Sequence, residues 1–230
     1  MKRKISSGQN GLFVGTPCQC SALHSLLDKE KLSSLIVCDF ICHGVASPLI
    51  FDKFKSYLKS HYGAPLNIEF RHKENGCGSY FYYKGSIGKY IIPNYARSYP
   101  FAYASGLIIA DDCTDCKYCS INRYSDITLG DFVSGPTDFS KSTIFVNTNR
   151  GDRILRECAG ITLQYEDLED VISKSWHLTT PNTKNPQRRK VFDNIHLTWE
   201  ELENKFFRPP SKIKLYKNAL INKIIGIIRK

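Results

Sequence analysis

The chain has 230 residues, 42% of them hydrophobic, and a formal net charge of +10. This length and apolar fraction are sufficient for a hydrophobic core and exclude an intrinsically disordered protein. Eight Lys or Arg residues and no acidic residue lie between Asn204 and Lys230, so the excess charge is concentrated in the tail. This distribution argues against a nucleic-acid-binding module, in which basic and base-reading groups share one surface.

Nine cysteines are an odd number and too small a fraction of the chain for a disulfide scaffold. Residues 1–10 are polar and basic, unlike a signal peptide, and no apolar run approaches the roughly 20 residues that span a bilayer. We therefore expect a cytoplasmic protein. In that compartment clustered cysteines indicate metal or thiol chemistry, and isolated cysteines pack as small apolar residues.

The amino-terminal part of the chain has the pattern of a βαβα unit. A short apolar run at residues 11–15 predicts a strand, and the spacing of apolar residues at 21–27 predicts a helix. The continuous apolar run at 34–41 is typical of a strand buried on both faces of a parallel sheet. Ser47 and Pro48 then open a predicted helix at 49–59.

The middle of the chain is rich in aromatic and β-branched residues and predicts an antiparallel insertion. Its strands are predicted at residues 67–71, 80–84 and 89–95, with a hairpin turn at 85–88. Residues 99–110 are compatible with helical or extended structure. Later elements are predicted as strands at 125–132 and 141–147, a helix at 151–159, and a strand and helix at 161–165 and 167–173.

The sequence thus predicts an α/β fold: a mostly parallel sheet with flanking helices, an antiparallel β insertion and a basic C-terminal helical tail. Pro209-Pro210 marks the end of the packed part, and we expect a main domain at 1–203 and a tail at 204–230. The tail interleaves apolar residues with lysine. It is either a solvated helix or packing arm, or an amphipathic helix that contacts a membrane surface or a partner.

The most specific short motif is Cys113-Thr-Asp-Cys116-Lys-Tyr-Cys119. A C-x-x-C turn directs two thiolates at one metal centre, but this motif lacks the further Cys and Pro of a one-segment ferredoxin site. At least one ligand must therefore come from elsewhere. A structural zinc knuckle and a thioredoxin-like redox pair are the alternatives. Cys119 is either a buried thiol or a substitute ligand.

Two further cysteines follow predicted parallel strands: Cys18 after the first and Cys42 after the second. Ligands of open α/β sheets bind at the carboxyl ends of the strands. A set of Cys18, Cys42, Cys113 and Cys116 is therefore geometrically reasonable. His43, beside Cys42, could tune such a centre or carry protons, and it could equally be structural.

Six segments, in this order, resemble the coenzyme F420 hydrogenase/dehydrogenase beta-subunit family. They are residues 12–19 (LFVGTPCQ), 38–48 (CDFICHGVASP), 70–76 (FRHKENG), 112–118 (DCTDCKY), 123–132 (RYSDITLGDF) and 185–189 (NPQRR). The resemblance implies a catalytic domain with one 4Fe-4S cluster and FAD. Four cysteines would hold the cluster: Cys18, Cys42, Cys113 and Cys116. The domain would pass electrons between a ferredoxin-like donor and a deazaflavin or similar acceptor.

Several residues would then serve the flavin. Glycines and a small polar residue would allow the backbone to approach the cofactor, and two basic residues would neutralise phosphate or a reduced flavin. The candidates for cofactor binding are Gly15, Thr16, His43, Gly44, Arg71, Lys73 and Asp131. The structural alternatives are an ordinary strand edge for the two basic residues and strand termination for Asp131.

The chain departs from the family pattern at two places. Such proteins usually carry an amino-terminal ferredoxin module, whereas this sequence starts almost directly at the first strand. We therefore expect ferredoxin or a separate electron-input subunit as a partner, with a small-molecule redox substrate. The family's Gly-Asp-Phe-Trp-Gly is here Gly130-Asp131-Phe132-Val133, which lacks the indole. The alternatives to an enzyme are a non-enzymatic zinc- or cluster-stabilised interaction domain and an electron-relay subunit.

Overall fold

The elements are read from a computed structural model that describes residues 10–74, 77–93, 98–132, 141–182 and 184–208. The strands are β1 (Gly11–Val14), β2 (Leu35–Phe40), β3 (Pro65–Glu74), β4 (Cys77–Gly85), β5 (Lys89–Pro93), β6 (Ile127–Asp131) and β7 (Ser142–Val146). The helices are α1 (Pro17–Leu26), α2 (Lys29–Ser33), α3 (Pro48–Tyr62), α4 (Tyr99–Ala104), α5 (Asp111–Thr114), α6 (Asn149–Glu157), α7 (Leu168–Lys174), α8 (Arg188–Asp193) and α9 (Trp199–Phe206). A 3-10 helix covers Trp176–Leu178. Two units divide the chain: Met1–Val45 with Ala110–Thr183, and Ala46–Ile109 with Lys184–Lys230.

The first unit contains a four-stranded sheet in the order β1-β2-β6-β7. β1, β2 and β6 are parallel, and β7 runs antiparallel to β6. Because they are parallel, β1, β2 and β6 direct their carboxyl ends toward the same edge of the sheet. The strands are staggered, since Val14, the last residue of β1, pairs with Cys38 of β2, and Cys38 pairs with Ile127, the first residue of β6. The predicted mostly parallel sheet is confirmed.

Helix α1 begins earlier than the apolar spacing predicts. Thr16 accepts a hydrogen bond from the backbone of Gln19 while the Gln19 side chain bonds back to the Thr16 N–H, and Pro17 occupies the first turn. This capping box starts the helix directly after β1. Cys18 therefore lies in the first turn of α1, whereas the predicted helix at 21–27 would leave it between the strand and the helix. The buried face of α1 packs against Leu35 and Val37 of β2.

The second unit contains the antiparallel sheet β3-β4-β5. The turn between β4 and β5 is closed by the N–H of Gly85, which donates to the carbonyl oxygen of Gly88 over 2.8 Å. A Cβ at position 85 would lie 1.9 Å from the Tyr62 oxygen, so glycine is required there. Phe54 of α3 packs on Phe81 of β4 with ring centroids 5.1 Å apart. The predicted antiparallel insertion is confirmed.

The prediction of a strand at residues 161–165 is wrong. These residues have no regular structure, and all five are exposed. The apolar side chains Ile161, Leu163 and Tyr165 are 43%, 46% and 88% exposed. Alternating apolar residues favour a strand only where a neighbouring strand and a core are available, and this segment has neither of them in the part of the chain that is described.

The predicted tail lies mostly outside the described residues. Its first residues belong to α9 and the short stretch that follows, and everything after residue 208, including Pro209-Pro210 and the predicted tail helix, is outside. Among the helices that are described, none has the length and apolar character needed to cross a bilayer.

Candidate functional site

Cys18 lies at the carboxyl end of β1, in the first turn of α1. Its Sγ is 3.0 Å from the Oγ1 of Thr16, the residue that caps the helix. The side chain is exposed. The helical backbone fixes the position of this thiol, and its exposure leaves the sulfur accessible.

Cys42 follows β2, and the next turn directs a backbone donor at its sulfur. The Gly44 N–H donates to the Cys42 Sγ over 3.4 Å. Gly44 has a φ of 102°, a conformation that favours glycine, so the turn that aims this N–H depends on the absence of a side chain.

Cys113 lies in α5, and the loop after Cys42 contacts it directly. The Val45 N–H donates to the Cys113 Sγ over 3.4 Å. The Ala110 N–H donates to the Val45 carbonyl oxygen over 2.8 Å. The backbone of the Cys42 loop is thus joined to the C-x-x-C segment, although the two are far apart in the sequence.

The other three predicted ligands affect the pKa of Cys42. Burial raises the pKa of the Cys42 thiol, and a hydrogen bond from Gly44 opposes this shift. The charges that three other cysteines carry as thiolates raise the pKa of Cys42 further. These cysteines are Cys113, Cys18 and Cys116. Within the described ranges, no three His, Cys, Asp or Glu side chains are grouped so as to hold a single metal ion. A four-iron cluster differs from a single ion, because its thiolates surround a larger inorganic core.

Cys119, whose role the sequence left open, lies beside the same thiols. Burial, followed by the charge of Cys116 and a hydrogen bond with it, raises the pKa of Cys119 to about 12, and Cys42 adds to the shift. Cys20 is different, because it is fully buried in α1 and packs with Leu23 and its neighbours. Cys119 is therefore a fifth thiol beside the four predicted ligands, and it belongs to the same sequence motif as Cys113 and Cys116.

The residues proposed for the flavin are divided between the two units. Gly15, Thr16, His43, Gly44 and Asp131 belong to the first unit, with the cysteines, whereas Arg71 and Lys73 lie on β3 of the second unit, with exposed side chains. Some of the first group have evident structural roles. A Cβ at Gly15 would lie 2.8 Å from the Phe13 ring, and Thr16 caps α1.

His43 is in contact with a second histidine that sequence reasoning did not select. The rings of His43 and His177 have centroids 3.8 Å apart and are tilted by 39°. Burial and then the charge of His43 lower the pKa of His177 to about 4, so its ring is neutral at neutral pH. The side chain of Asn182 donates to the His43 carbonyl oxygen over 3.2 Å, which fixes the backbone beside Cys42.

A buried ion pair, also missed by sequence reasoning, lies at the end of β2. Nη1 of Arg123 is 3.7 Å from Oδ2 of Asp39, and the two side chains are 2% and 0% exposed. Thr128 donates to the other carboxylate oxygen of Asp39 over 2.5 Å. The feature of the sequence that could have indicated this pair is Asp39, an aspartate inside the otherwise apolar run 34–41.

A cavity of about 540 Å³ opens in the first unit beside Arg123. This volume is within the range of small-molecule sites. Its lining combines polar and apolar side chains, among them Asn122, Arg123, Thr128, Phe145, Asn147 and Leu178.

Comparison with known proteins agrees with the motifs. Residues 8–171 match the family described as the carboxyl-terminal part of the beta subunit of coenzyme F420 hydrogenase/dehydrogenase. A chain of the F420-reducing [NiFe] hydrogenase complex from Methanosarcina barkeri is similar at 16% identity with a TM-score of 0.43, over 82% of this chain and 62% of that chain. The present chain thus spans less than two thirds of that relative, and a search of curated proteins gave no match. Because the family match covers most of its length, the chain belongs to the oxidoreductase family of coenzyme F420 hydrogenase/dehydrogenase beta subunits, as its motifs predicted.

Proposed function

We propose that the chain is an iron–sulfur oxidoreductase domain that passes electrons between a ferredoxin-like donor and a deazaflavin or similar acceptor. In this proposal Cys18, Cys42, Cys113 and Cys116 hold a 4Fe-4S cluster. The observation that carries it is a pair of hydrogen bonds at the proposed ligands: the Gly44 N–H donates to the Cys42 Sγ, and the Val45 N–H donates to the Cys113 Sγ. These bonds connect the Cys42 loop to the C-x-x-C segment and support the proposal that both segments bind one cluster.

The surroundings of the sulfurs fit such a cluster. Hydrogen bonds to the sulfurs are one of the features that set the properties of iron–sulfur clusters. Here the backbone N–H groups of Gly44 and Val45 donate to Cys42 and Cys113. The thiol of Cys42 is half-buried, and metal binding would release its proton.

The cluster would exchange single electrons, and FAD would convert them into two-electron chemistry. The residues of this chain would contribute binding and orientation. Gly15, Thr16 and Gly44 would lie against the cofactor, with His43 beside them. Arg71, Lys73 and Asp131 remain proposed flavin residues.

The cavity beside Arg123 is the best candidate for the ring of an organic redox partner, either the flavin or the acceptor. Its volume of about 540 Å³ suits a ring system. Apolar walls from Phe145 and Leu178 would contact the faces of a ring, and the amides of Asn122 and Asn147 could bond to its edge.

The test is anaerobic purification with cluster reconstitution, followed by assays of iron, acid-labile sulfide and zinc. We expect a brown protein with about four irons and four sulfides per chain. Replacing Cys18, Cys42, Cys113 or Cys116 with Ser should abolish stable cluster binding. Cys158→Ser is the matched control, because Cys158 is an exposed cysteine at the end of α6 and is not one of the proposed ligands. A colourless protein that binds zinc through the same cysteines would instead support the zinc-stabilised interaction domain.

A further inference from the structure

The ion pair of Arg123 and Asp39 is an unusual feature of the first unit. Each partner retains a buried atom that makes no hydrogen bond within the described structure: Oδ2 of Asp39 and Nε of Arg123. The closest approach of the two charges, 3.7 Å, is longer than a charge-assisted hydrogen bond.

A buried ion pair with this geometry contributes little to the stability of the folded chain. Burying two charges carries a large desolvation cost, which is offset only when geometry is good and the remaining polar atoms are satisfied. The burial of Asp39 accordingly raises its pKa, although Thr128 and Arg123 oppose the shift. Buried charges with unsatisfied polar atoms and shifted pKa values are concentrated at functional sites.

Arg123 also holds the cysteine segment. Its Nη1 donates to the Tyr118 carbonyl oxygen over 3.4 Å, and its Nη2 donates to that of Leu178 over 3.3 Å. Tyr118 lies between Cys116 and Cys119 in the sequence. Asp39 is placed three residues before Cys42, near the end of β2.

The pair is thus joined to two of the segments that carry the proposed ligands. Arg123 is bonded to the C-x-x-C segment at Tyr118, and Asp39 belongs to the strand that leads directly to Cys42. Two buried charges placed in this way act on a cluster held by those segments through a medium of low dielectric constant.

We propose that Arg123 and Asp39 are positioning residues that set the reduction potential of the cluster, with Arg123 raising it and Asp39 lowering it. The inference rests on the proposed cluster site. Reduction adds one electron to the cluster, and a buried cation stabilises the added negative charge while a buried anion destabilises it. Because both side chains are shielded from water, their effects are screened little by solvent and salt.

The test is an anaerobic redox titration of the reconstituted full chain, followed by electron paramagnetic resonance. Arg123→Met removes the cation, and the ratio of reduced to oxidised cluster at a fixed potential should fall by about tenfold, equivalent to about −59 mV for a one-electron couple. Asp39→Asn should shift the potential in the positive direction. Arg123→Lys, which keeps the charge, should remain near wild type. Arg150→Met is the control, because Arg150 also forms an ion pair with a buried aspartate, Asp126, in the same unit.

The outcomes separate the two levels of the proposal. A wild-type chain that binds zinc or no metal refutes the proposed function and this inference with it. A full cluster whose potential is unchanged in Arg123→Met and Asp39→Asn refutes the inference alone. An equal shift in Arg123→Lys and Arg123→Met would assign Arg123 a purely structural role and overturn the inference. If Arg123→Met does not fold, the positive shift in the nearly isosteric Asp39→Asn decides the question.

Discussion

The backbone N–H of Val45 donates a hydrogen bond to the Sγ of Cys113 over 3.4 Å. The carbonyl oxygen of the same residue accepts the N–H of Ala110 over 2.8 Å. Both bonds use main-chain atoms, and the Val45 side chain is 51% exposed. The connection between the Cys42 loop and the C-x-x-C segment therefore depends on the backbone of residue 45 and hardly on its side chain.

Removing this N–H should weaken cluster retention. Val45→Pro lacks the donor, and a hydrogen bond to a charged group contributes about 1.5–3 kcal/mol. In competition with a chelator, the equilibrium constant for iron release should be about tenfold or more larger for Val45→Pro than for wild type. Val45→Ala keeps the N–H and should match wild type. Equal iron retention in both variants would show that the bond to Cys113 contributes nothing.

Cys119 should be dispensable for the cluster. Four other thiols are available to hold the cluster, and Cys119 is a half-buried fifth thiol beside them. Cys119→Ser should keep the iron and sulfide content of wild type, whereas Cys116→Ser should lose it. If Cys119→Ser loses the cluster and Cys18→Ser keeps it, then Cys119 is the fourth ligand in place of Cys18.

Filling the cavity beside Arg123 should displace the organic redox partner without affecting the metal. Leu168 lines the cavity and is 52% exposed, so a larger side chain can be accommodated there without disturbing the core. Leu168→Trp should reduce flavin or acceptor binding, measured by fluorescence after release or by titration, while iron content stays unchanged. Leu163→Trp is the control, because Leu163 is similarly exposed at 46% and does not line the cavity. Unaltered binding of both molecules in Leu168→Trp would place their sites elsewhere.

Asp126 should stabilise the first unit in a pH-dependent way. Its carboxylate accepts bonds from the Val37 N–H, the Thr148 hydroxyl and the Arg150 guanidinium. Burial alone would raise the pKa of Asp126, but these bonds lower it below its ordinary value of 3.8. Asp126→Asn should therefore lose about 2 kcal/mol of unfolding free energy at neutral pH.

The direction of the pH effect follows from the lowered pKa of Asp126. The stabilisation is complete above about pH 4, where the unfolded carboxyl is ionised, and is lost as the pH falls through the native pKa. The difference between wild type and Asp126→Asn in denaturant unfolding should thus be large at pH 7 and shrink below pH 4. Asp152→Asn is the control, because Asp152 pairs with Arg156 on the surface and should have little effect. A difference that does not depend on pH would contradict this account.

The location of the cysteines could be predicted from the sequence because parallel strands have a strong local signal. The apolar runs before Cys18 and Cys42 indicated strands, and the carboxyl ends of parallel strands meet at one edge. The start of α1 was predicted too late because the apolar spacing begins at residue 21, whereas the capping box acts from Thr16.

The ion pair of Arg123 and Asp39 could not be predicted, because its partners are far apart in the sequence. Both residues lie in segments that resemble the family, but neither segment indicates that they pair. Asp39 within an apolar strand indicates a buried partner but does not identify it. The strand predicted at 161–165 is wrong for the opposite reason. Its alternating apolar residues are a local signal, but among the described residues no neighbouring strand pairs with this segment.

The early start of α1 has a consequence for how the site would be loaded. The backbone around Cys18 is already ordered by the capping box and the first helical turn, so binding there requires little loss of conformational entropy. Cys116 lies outside the regular elements and has more freedom to lose. The helix thus offers a preorganised first point of attachment, around which the less regular C-x-x-C segment can close.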